Sequence, residues 1–216
     1  MFVHCSSVTL IRFKSISQGL FSRSTGCRLV VEIVSVPAYK LLLVGNANVG
    51  KSSLIRWLLL GDFDPNYTAT VGVDLSAVAL NVDGQTPVIM TMIDLGGQSD
   101  FTALRTQYYR GAHGAALVYD VSARDSFENL PIWYEDLMDH IAQPNGTKFE
   151  GIVIGNKIDK AARREVSSSE GRSFAESIDW PFHETSAKSG ENVEEVFGGI
   201  AKRMYVSYPP LKTRAD

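Results

Sequence analysis

The sequence predicts an α/β fold with a six-stranded, mostly parallel sheet, one antiparallel hairpin and helices on its flanks. Apolar runs of strand length alternate with helical segments, and this order favours parallel pairing. One pair of runs departs from it, because the turn signal Asp83-Gly84 joins Val73–Val82 directly to Pro87–Ile93. A glycine-rich turn at residues 45–52 lies between an apolar run and a helical segment, as in strand-loop-helix units.

Length and composition narrow the possible classes of protein. The chain has 216 residues, a net charge of −3 and 44% hydrophobic residues, which suits one globular domain with short extensions. The negative charge argues against nucleic acid as a partner. No apolar run approaches the roughly 18 residues of a spanning helix. Cys5 and Cys27 both precede the glycine-rich turn, so we expect no disulfide framework, no thiolate metal site and a reducing, intracellular compartment.

We divide the chain into an N-terminal extension (1–37), a domain (38–206) and a short tail (207–216). The extension is rich in serine and holds four basic residues against one acidic residue. That composition suits a mitochondrial-type transit peptide. The alternatives are a disordered extension or a start codon placed too early.

Six strands and four helices are predicted within the domain. The strands are Tyr39–Val44, Val73–Val82, Pro87–Ile93, Ala115–Tyr119, Ile152–Ile154 and Pro181–Glu184. The helices are Ser52–Leu60, Ser126–Ile141, a segment from Ser167 to Ile178 and a segment from Asn192 to Tyr205, and an amphipathic segment ends near Arg110.

Local signals mark several of these boundaries. Gly61 suits the C-cap of the first helix, and capping boxes from Ser167 and Asn192 open the last two. Pro131 falls inside a helix, where a proline should kink the helix or restart it. The glycine-rich turn, Asp94, Asn156 and Thr185 all follow predicted strands, so we expect them to meet at one edge of the sheet.

The glycine-rich turn reads G-x-x-x-x-G-K-S, a spacing typical of loops that bind phosphate. Gly45 and Gly50 let the backbone wrap a phosphate, and successive N–H groups at a helix N-terminus attract the anion. Lys51 can reach the β- and γ-phosphates, and the Ser52 hydroxyl can bind Mg²⁺. The candidate phosphate-binding residues are Gly45, Asn48, Val49, Gly50, Lys51, Ser52, Ser53, Thr70 and Gly97.

Asp94-Leu95-Gly96-Gly97-Gln98 follows the third predicted strand. Asp94 can hold Mg²⁺ through water, and the Gly97 N–H can meet a γ-phosphate. Gln98 can orient an attacking water and is therefore the candidate catalytic residue. The candidate metal ligands are Ser52, Thr70 and, through water, Asp94.

Asn156-Lys157-Ile158-Asp159 points to the base that the site selects. A carboxylate accepts two hydrogen bonds from guanine N1–H and its amine, whereas adenine has neither donor in that arrangement and leaves the charge unpaired. Asn156 can contact N7, and the Lys157 stem can lie over the ring. The candidate guanine-binding residues are Phe63, Asn156, Lys157, Asp159, Ser186, Ala187 and Lys188.

These elements in this order resemble the Ras superfamily of small GTPases over residues 38–206. The segments 71–75, 108–112 and 118–121 are similar to the Rab branch. The resemblance implies a P-loop GTPase fold that binds GTP, GDP and Mg²⁺ and hydrolyses GTP slowly as a molecular switch in vesicle traffic. It also implies effectors, an exchange factor and a GTPase-activating protein on switch segments 62–75 and 95–109, in a monomeric protein.

The chain departs from the family pattern at several positions. Ile93 stands where a tryptophan is usual, and Ser99 replaces an acidic residue expected to support nucleotide exchange. Gly96 replaces an alanine, which we expect to loosen a hinge. The methyl group of Ala47 could crowd an incoming catalytic side chain. No cysteine ends the chain, so we expect no prenyl anchor and only peripheral membrane association.

The sequence therefore predicts a cytoplasmic Rab-like GTPase, peripheral on endomembranes. A mitochondrial location through residues 1–37 is the alternative. Two further functions stay open: a GTP-binding scaffold that barely hydrolyses, which Ala47 and Gly96 allow, and a P-loop kinase or ATPase, against which Asn156 and Asp159 argue.

Overall fold

The computed structural model describes residues 7–16, 28–65, 70, 72–96, 102–141 and 147–210. Its strands are β1 (Ser7–Ile16), β2 (Arg28–Val44), β3 (Val73–Asn81), β4 (Pro87–Leu95), β5 (Gly114–Asp120), β6 (Glu150–Asn156) and β7 (Phe182–Thr185). Its helices are α1 (Lys51–Leu60), α2 (Thr102–Tyr109), α3 (Arg124–Glu128), α4 (Leu130–His140), α5 (Ser168–Ser177) and α6 (Val193–Ser207). A 3₁₀ helix covers Ile158–Arg163.

Six strands lie side by side in the order β3-β4-β2-β5-β6-β7. β3 and β4 pair antiparallel, from Val73 opposite Leu95 to Asn81 opposite Pro87. The other neighbours in this order pair in parallel. The predicted α/β fold, with a six-stranded, mostly parallel sheet and one antiparallel hairpin, is confirmed.

The hairpin turn between β3 and β4 is held by the Asp83 side chain. Its carboxylate accepts hydrogen bonds from the Thr86 N–H (2.6 Å), the Thr86 hydroxyl (2.8 Å) and the Gln85 N–H (3.0 Å). These hydrogen bonds hold the pKa of Asp83 below its ordinary value, and those from Thr86 contribute most. Pro87 opens β4, the position where its missing N–H is tolerated.

The central strand β2 is buried on both faces. Leu41 and Leu43 pack into one apolar cluster with α1 and α6, whereas Leu42 and Val44 pack into a second cluster on the opposite face. This alternation follows from the two-residue period of a strand. Helices on both faces explain why β2 is apolar throughout this stretch instead of alternating with polar residues.

Residues 28–37 of β2 extend before the central sheet and pair with β1. The register runs antiparallel from Ser7 opposite Pro37 to Ile16 opposite Arg28. The extension that we predicted for residues 1–37, with its alternatives, stays a prediction. The β-branched residues at 30–31 and 33–34 favour strand structure. Our sequence analysis considered only the serine content and charge of this segment and did not use that signal. A targeting role for this segment stays a prediction.

The helix boundaries follow the predicted signals in most places. α3 ends at Glu128 and α4 restarts at Leu130, with Pro131 in the first turn, where its missing N–H costs nothing. The Ser167–Glu170 capping box is present at α5. The box predicted from Asn192 is wrong, because Asn192 has a left-handed backbone and its amide donates to the Glu184 carbonyl instead (2.9 Å).

None of the helices within the described residues has both the length and the apolar character that crossing a bilayer requires.

Candidate functional site

The phosphate loop connects β2 to α1 and depends on two glycines. Gly45 and Gly50 have φ values of 142° and 99°, which side chains rarely adopt. A Cβ atom at Gly45 would lie 2.1 Å from the Val118 carbonyl oxygen of β5. The buried Lys51 side chain donates from Nζ to the carbonyl oxygens of Gly45 (2.8 Å) and Asn46 (2.9 Å). The Lys51 ammonium group therefore lies inside the phosphate loop, against its backbone carbonyls.

The three predicted metal ligands converge, although they come from α1, a loop and β4. The Ser52 and Thr70 hydroxyl oxygens lie 2.7 Å apart. Thr70 Oγ1 donates to Asp94 Oδ2 at 2.9 Å, and Ser52 Oγ donates to the same oxygen. Asp94 is buried inside β4, one residue before its end.

This cluster has the chemistry of a Mg²⁺ site. Mg²⁺ takes oxygen ligands and keeps several waters, and the three side chains present only oxygen. Asp94 Oδ1 is buried and has no hydrogen-bond partner among the described residues. A buried carboxylate oxygen without a donor is costly, so a water or a cation is the expected neighbour. The residues fit the ion.

Asp159, the carboxylate predicted to bind guanine, is oriented by Ser186. The Ser186 hydroxyl donates to Asp159 Oδ1 at 2.6 Å and accepts from the Ser189 N–H at 3.2 Å. The Ser186 side chain is fully buried, whereas Asp159 is exposed. The carboxylate is therefore held in place and remains accessible from one side.

A single cavity of about 520 Å³ is surrounded by the phosphate loop, the Ser52–Thr70–Asp94 cluster and Asp159. Its volume is within the range of small-molecule sites. Gly45, Val49 and Ser186 do not line this cavity, and Gly97 and Gln98 lie outside the described residues. The predicted residues that line it are Asn48, Gly50, Lys51, Ser52, Ser53, Phe63, Thr70, Asp94, Asn156, Lys157, Asp159, Ala187 and Lys188. Lining residues that the prediction did not include are Ala47, Asp64, Pro65, Gly96 and Lys160.

Comparison with known proteins agrees with this arrangement. The sequence model of the Ras family matches residues 40–206. The chain belongs to the Ras family. Ras-related protein Rab-30 of Homo sapiens and that of Bos taurus are each 39% identical to it over 166 residues, which cover 77% of this chain and 79% of each relative. The protein is therefore a Rab-like small GTPase, a class of guanine-nucleotide-binding GTP hydrolases that work with regulators and effectors.

The recognition drawn from the sequence is thus confirmed, both for the Ras superfamily and for its Rab-like branch. Control of vesicle traffic is the usual role of Rabs. The comparisons lend no support to the mitochondrial alternative.

Asp120 lies beside the candidate site, where it contacts Lys157, and the sequence analysis did not include it among the candidate site residues. Its Oδ2 pairs with Lys157 Nζ (2.8 Å) and Lys160 Nζ (3.6 Å), and Oδ1 accepts from the Ser122 N–H (2.8 Å). Burial raises the pKa of Asp120, but the hydrogen bonds from Lys157 and Ser122 outweigh it and hold the pKa below its ordinary value. Its position at the carboxyl end of β5 was the signal that could have found it.

Lys157 connects this carboxylate to the phosphate loop of the GTPase. Its backbone is left-handed, with φ of 69°, and its Nζ also donates to the Asn48 carbonyl. Lys157 lines the 520 Å³ cavity, and its ammonium joins Asp120 to the phosphate loop. Its ammonium is therefore engaged by protein groups, the Asp120 carboxylate and the Asn48 carbonyl.

Trp133 of α4 supports the phosphate loop from the other side. Its indole Nε1 donates to Asn46 Oδ1 at 2.8 Å, across 87 residues of chain. The tryptophan is buried at 9% exposure. No local sequence signal links these two positions, so the sequence analysis did not predict this contact.

Proposed function

We propose that this Rab-like GTPase binds GTP and GDP together with Mg²⁺ in the 520 Å³ cavity and alternates between the two nucleotides as a switch in vesicle traffic. One observation carries the proposal: the phosphate loop, the Ser52–Thr70–Asp94 cluster and Asp159 surround the same cavity. A guanine nucleotide bound with Mg²⁺ matches these three groups through its phosphates, the cation and the base.

Each end of the nucleotide has its own set of residues in this proposal. The loop N–H groups and Lys51 bind the phosphates, and Ser52, Thr70 and, through water, Asp94 hold the cation. When bound, Mg²⁺ would neutralise the charge that develops on the phosphates during transfer. Asp159 accepts two hydrogen bonds from guanine, held by Ser186 in an orientation that supports this role.

Asn156 acts in this proposal by positioning more than by contact. Its amide donates to the Val49 carbonyl, and its oxygen accepts from the Ala187 N–H. These bonds place the two loops that would face the base and the phosphates. The sequence had suggested that Asn156 contacts guanine N7, and this contact remains part of the proposal.

Hydrolysis depends on Gln98, which we propose orients the attacking water. The basis is its place directly after Gly97 in Asp94-Leu95-Gly96-Gly97-Gln98. We expect slow unassisted turnover, on the order of 10⁻⁴ s⁻¹, and acceleration by a partner that supplies an arginine.

Partners would act at switch segments 62–75 and 95–109. We propose that effectors, an exchange factor and a GTPase-activating protein bind the monomeric GTPase there. Its relative is named Ras-related protein Rab-30, and this supports peripheral association with endomembranes.

Single-turnover hydrolysis of GTP by the wild type and by Gln98→Leu tests the proposal, with and without an activating domain. We expect a large drop in the variant and stimulation of the wild type. Competition by ATP, measured alongside, separates the base assignment from the catalytic one. Equal hydrolysis rates for the two proteins would favour the alternative of a GTP-binding scaffold that barely hydrolyses, which the exposed methyl group of Ala47 at the cavity supports.

A further inference from the structure

The backbone at Gly96 lies against the loop that carries Thr70. The Gly96 N–H donates to the Gly72 carbonyl at 2.9 Å, which continues the β3–β4 ladder one residue beyond the Val73–Leu95 pair. A Cβ atom at residue 96 would lie 2.9 Å from the Thr70 carbonyl oxygen and 3.0 Å from that of Gly72. Both are backbone atoms, so an alanine here requires the loop itself to move.

Space is the reason for glycine at this position. The φ of Gly96 lies outside the left-handed region, so its conformation alone is open to other residues. From the sequence we expected glycine, in place of the usual alanine, to loosen a hinge. In the structure the missing methyl group has a different effect: it lets two segments come into closer contact.

This contact matters because Thr70 has a second set of neighbours. Its hydroxyl lies 2.7 Å from Ser52 Oγ and 2.9 Å from Asp94 Oδ2. A Cβ atom 2.9 Å from the Thr70 carbonyl oxygen is closer than real Cβ contacts, so the backbone at this contact must shift. Such a shift takes the hydroxyl toward the limit of about 3.2 Å beyond which hydrogen bonds weaken.

We propose that Gly96 is a positioning residue for Thr70. Its lack of a side chain sets how closely the Thr70 hydroxyl approaches the Ser52–Asp94 pair, and this sets the preference of the site for GTP over GDP. The preference follows because switch loops are ordered by contacts to the γ-phosphate and Mg²⁺, which GDP lacks in part. The inference rests on the proposed function, since it places Thr70 in the Mg²⁺ site of the GTP-bound protein.

The test is the affinity of Gly96→Ala for a non-hydrolysable GTP analogue and for GDP, each measured across a range of Mg²⁺ concentrations. We expect the GTP-analogue affinity to fall by about tenfold, the loss of about one hydrogen bond, with GDP affinity within about twofold of wild type. The Mg²⁺ concentration that half-saturates retention of the analogue should rise. Alanine is the residue usual in the resembling family, so the variant should fold, and thermal unfolding of its GDP-bound form checks this.

Two comparisons make the result decisive. Gly198→Ala lies in α6, where a Cβ meets nothing within 4 Å, and should leave both affinities unchanged. In a Thr70→Ala background, Gly96→Ala should cause no further loss of GTP affinity, because coupled positions are not additive. Additive losses, an unchanged GTP affinity, or an equal fall in GDP affinity would overturn the positioning role. A wild-type protein that binds ATP as tightly as GTP would overturn the proposed function instead.

Discussion

The side-chain amide of Asn156 donates a hydrogen bond to the Val49 carbonyl at 2.9 Å, which joins the end of β6 to the phosphate loop. The same side chain accepts hydrogen bonds from the Ala187 N–H and the Thr185 hydroxyl, both at 3.2 Å. A Cβ at Gly50 would lie 2.3 Å from the amide nitrogen, so this approach also depends on Gly50. One fully buried side chain therefore holds the ends of two strands and the phosphate loop in a fixed relation.

Asn156→Ala should destabilise the protein as well as weaken nucleotide binding. The change leaves a buried carbonyl and a buried N–H without their partners, which costs about 2–4 kcal/mol. Urea unfolding at a fixed, saturating GDP concentration measures the stability, and nucleotide titration measures the affinity. The control is Asn81→Ala, on the exposed end of β3, which should change stability by less than about 0.5 kcal/mol. A normal unfolding free energy for Asn156→Ala would contradict the bracing role.

Asp159→Asn should remove most of the selectivity for guanine. An amide has one acceptor oxygen where the carboxylate offers two, so GTP affinity should fall by about two orders of magnitude. Competition between GTP, ATP and xanthosine triphosphate measures the change. The variant should gain affinity for xanthine, which presents a carbonyl where guanine has its amine.

Asp179→Asn is the matched control for that experiment. Asp179 has a left-handed backbone that asparagine also adopts, and its side chain is 94% exposed outside the cavity. It should leave base selectivity as it is in the wild type. Equal binding of GTP and ATP by the unmodified protein would contradict the assignment of Asp159.

Ser52→Asn should bias the site toward GDP. The Ser52 hydroxyl lies beside Thr70 Oγ1 and Asp94, where we place Mg²⁺. Replacement of the hydroxyl by a larger amide disturbs a cation that GTP needs more than GDP does. The ratio of GTP to GDP affinity should fall by at least about tenfold, measured at several Mg²⁺ concentrations. Ser177→Asn, at the exposed end of α5, serves as the control. An unchanged ratio at saturating Mg²⁺ rules out Ser52 as a ligand.

Glu170→Gln should change how the stability of the protein depends on pH. The Arg124 side chain, followed by the Ser167 hydroxyl and N–H, lowers the pKa of Glu170 from 4.5 to about 2. A carboxyl with a depressed pKa stabilises the fold above its unfolded pKa of 4.5, and this contribution is lost as the pH falls toward 2.

The wild type should therefore exceed Glu170→Gln in stability at pH 7, and the difference should shrink between pH 4.5 and 2. Unfolding by urea across this pH range measures it. Glu176→Gln, an exposed position on the same helix, is the comparison. A difference that stays constant with pH would show that these partners do not lower the pKa of Glu170 in the folded state.

Several elements could be predicted because their signals are local. The period of the apolar residues predicted the six strands of the central sheet, and Asp83-Gly84 predicted the hairpin. Ser167 and Glu170 lie three residues apart, so their reciprocal capping bonds could be predicted from spacing. The failure at Asn192 shows the limit of this reasoning, since a distant carbonyl, that of Glu184, engages its side chain instead.

The sequence by itself determined the chemistry available to this protein: a loop for phosphate, hydroxyls and a carboxylate for a cation, and an aspartate for a base. Only the tertiary structure decided which partner each group has. Asn156 reaches Val49 across 107 residues, and Trp133 reaches Asn46 across 87. The Asn156–Val49 pair forms where parallel strands bring their carboxyl ends to one edge of the sheet, and the Trp133–Asn46 pair joins α4 to the same loop. The number of residues between two positions does not tell how close they lie in space. The contacts of Asn156 and Trp133 and the tight approach at Gly96 therefore appeared only in the folded molecule.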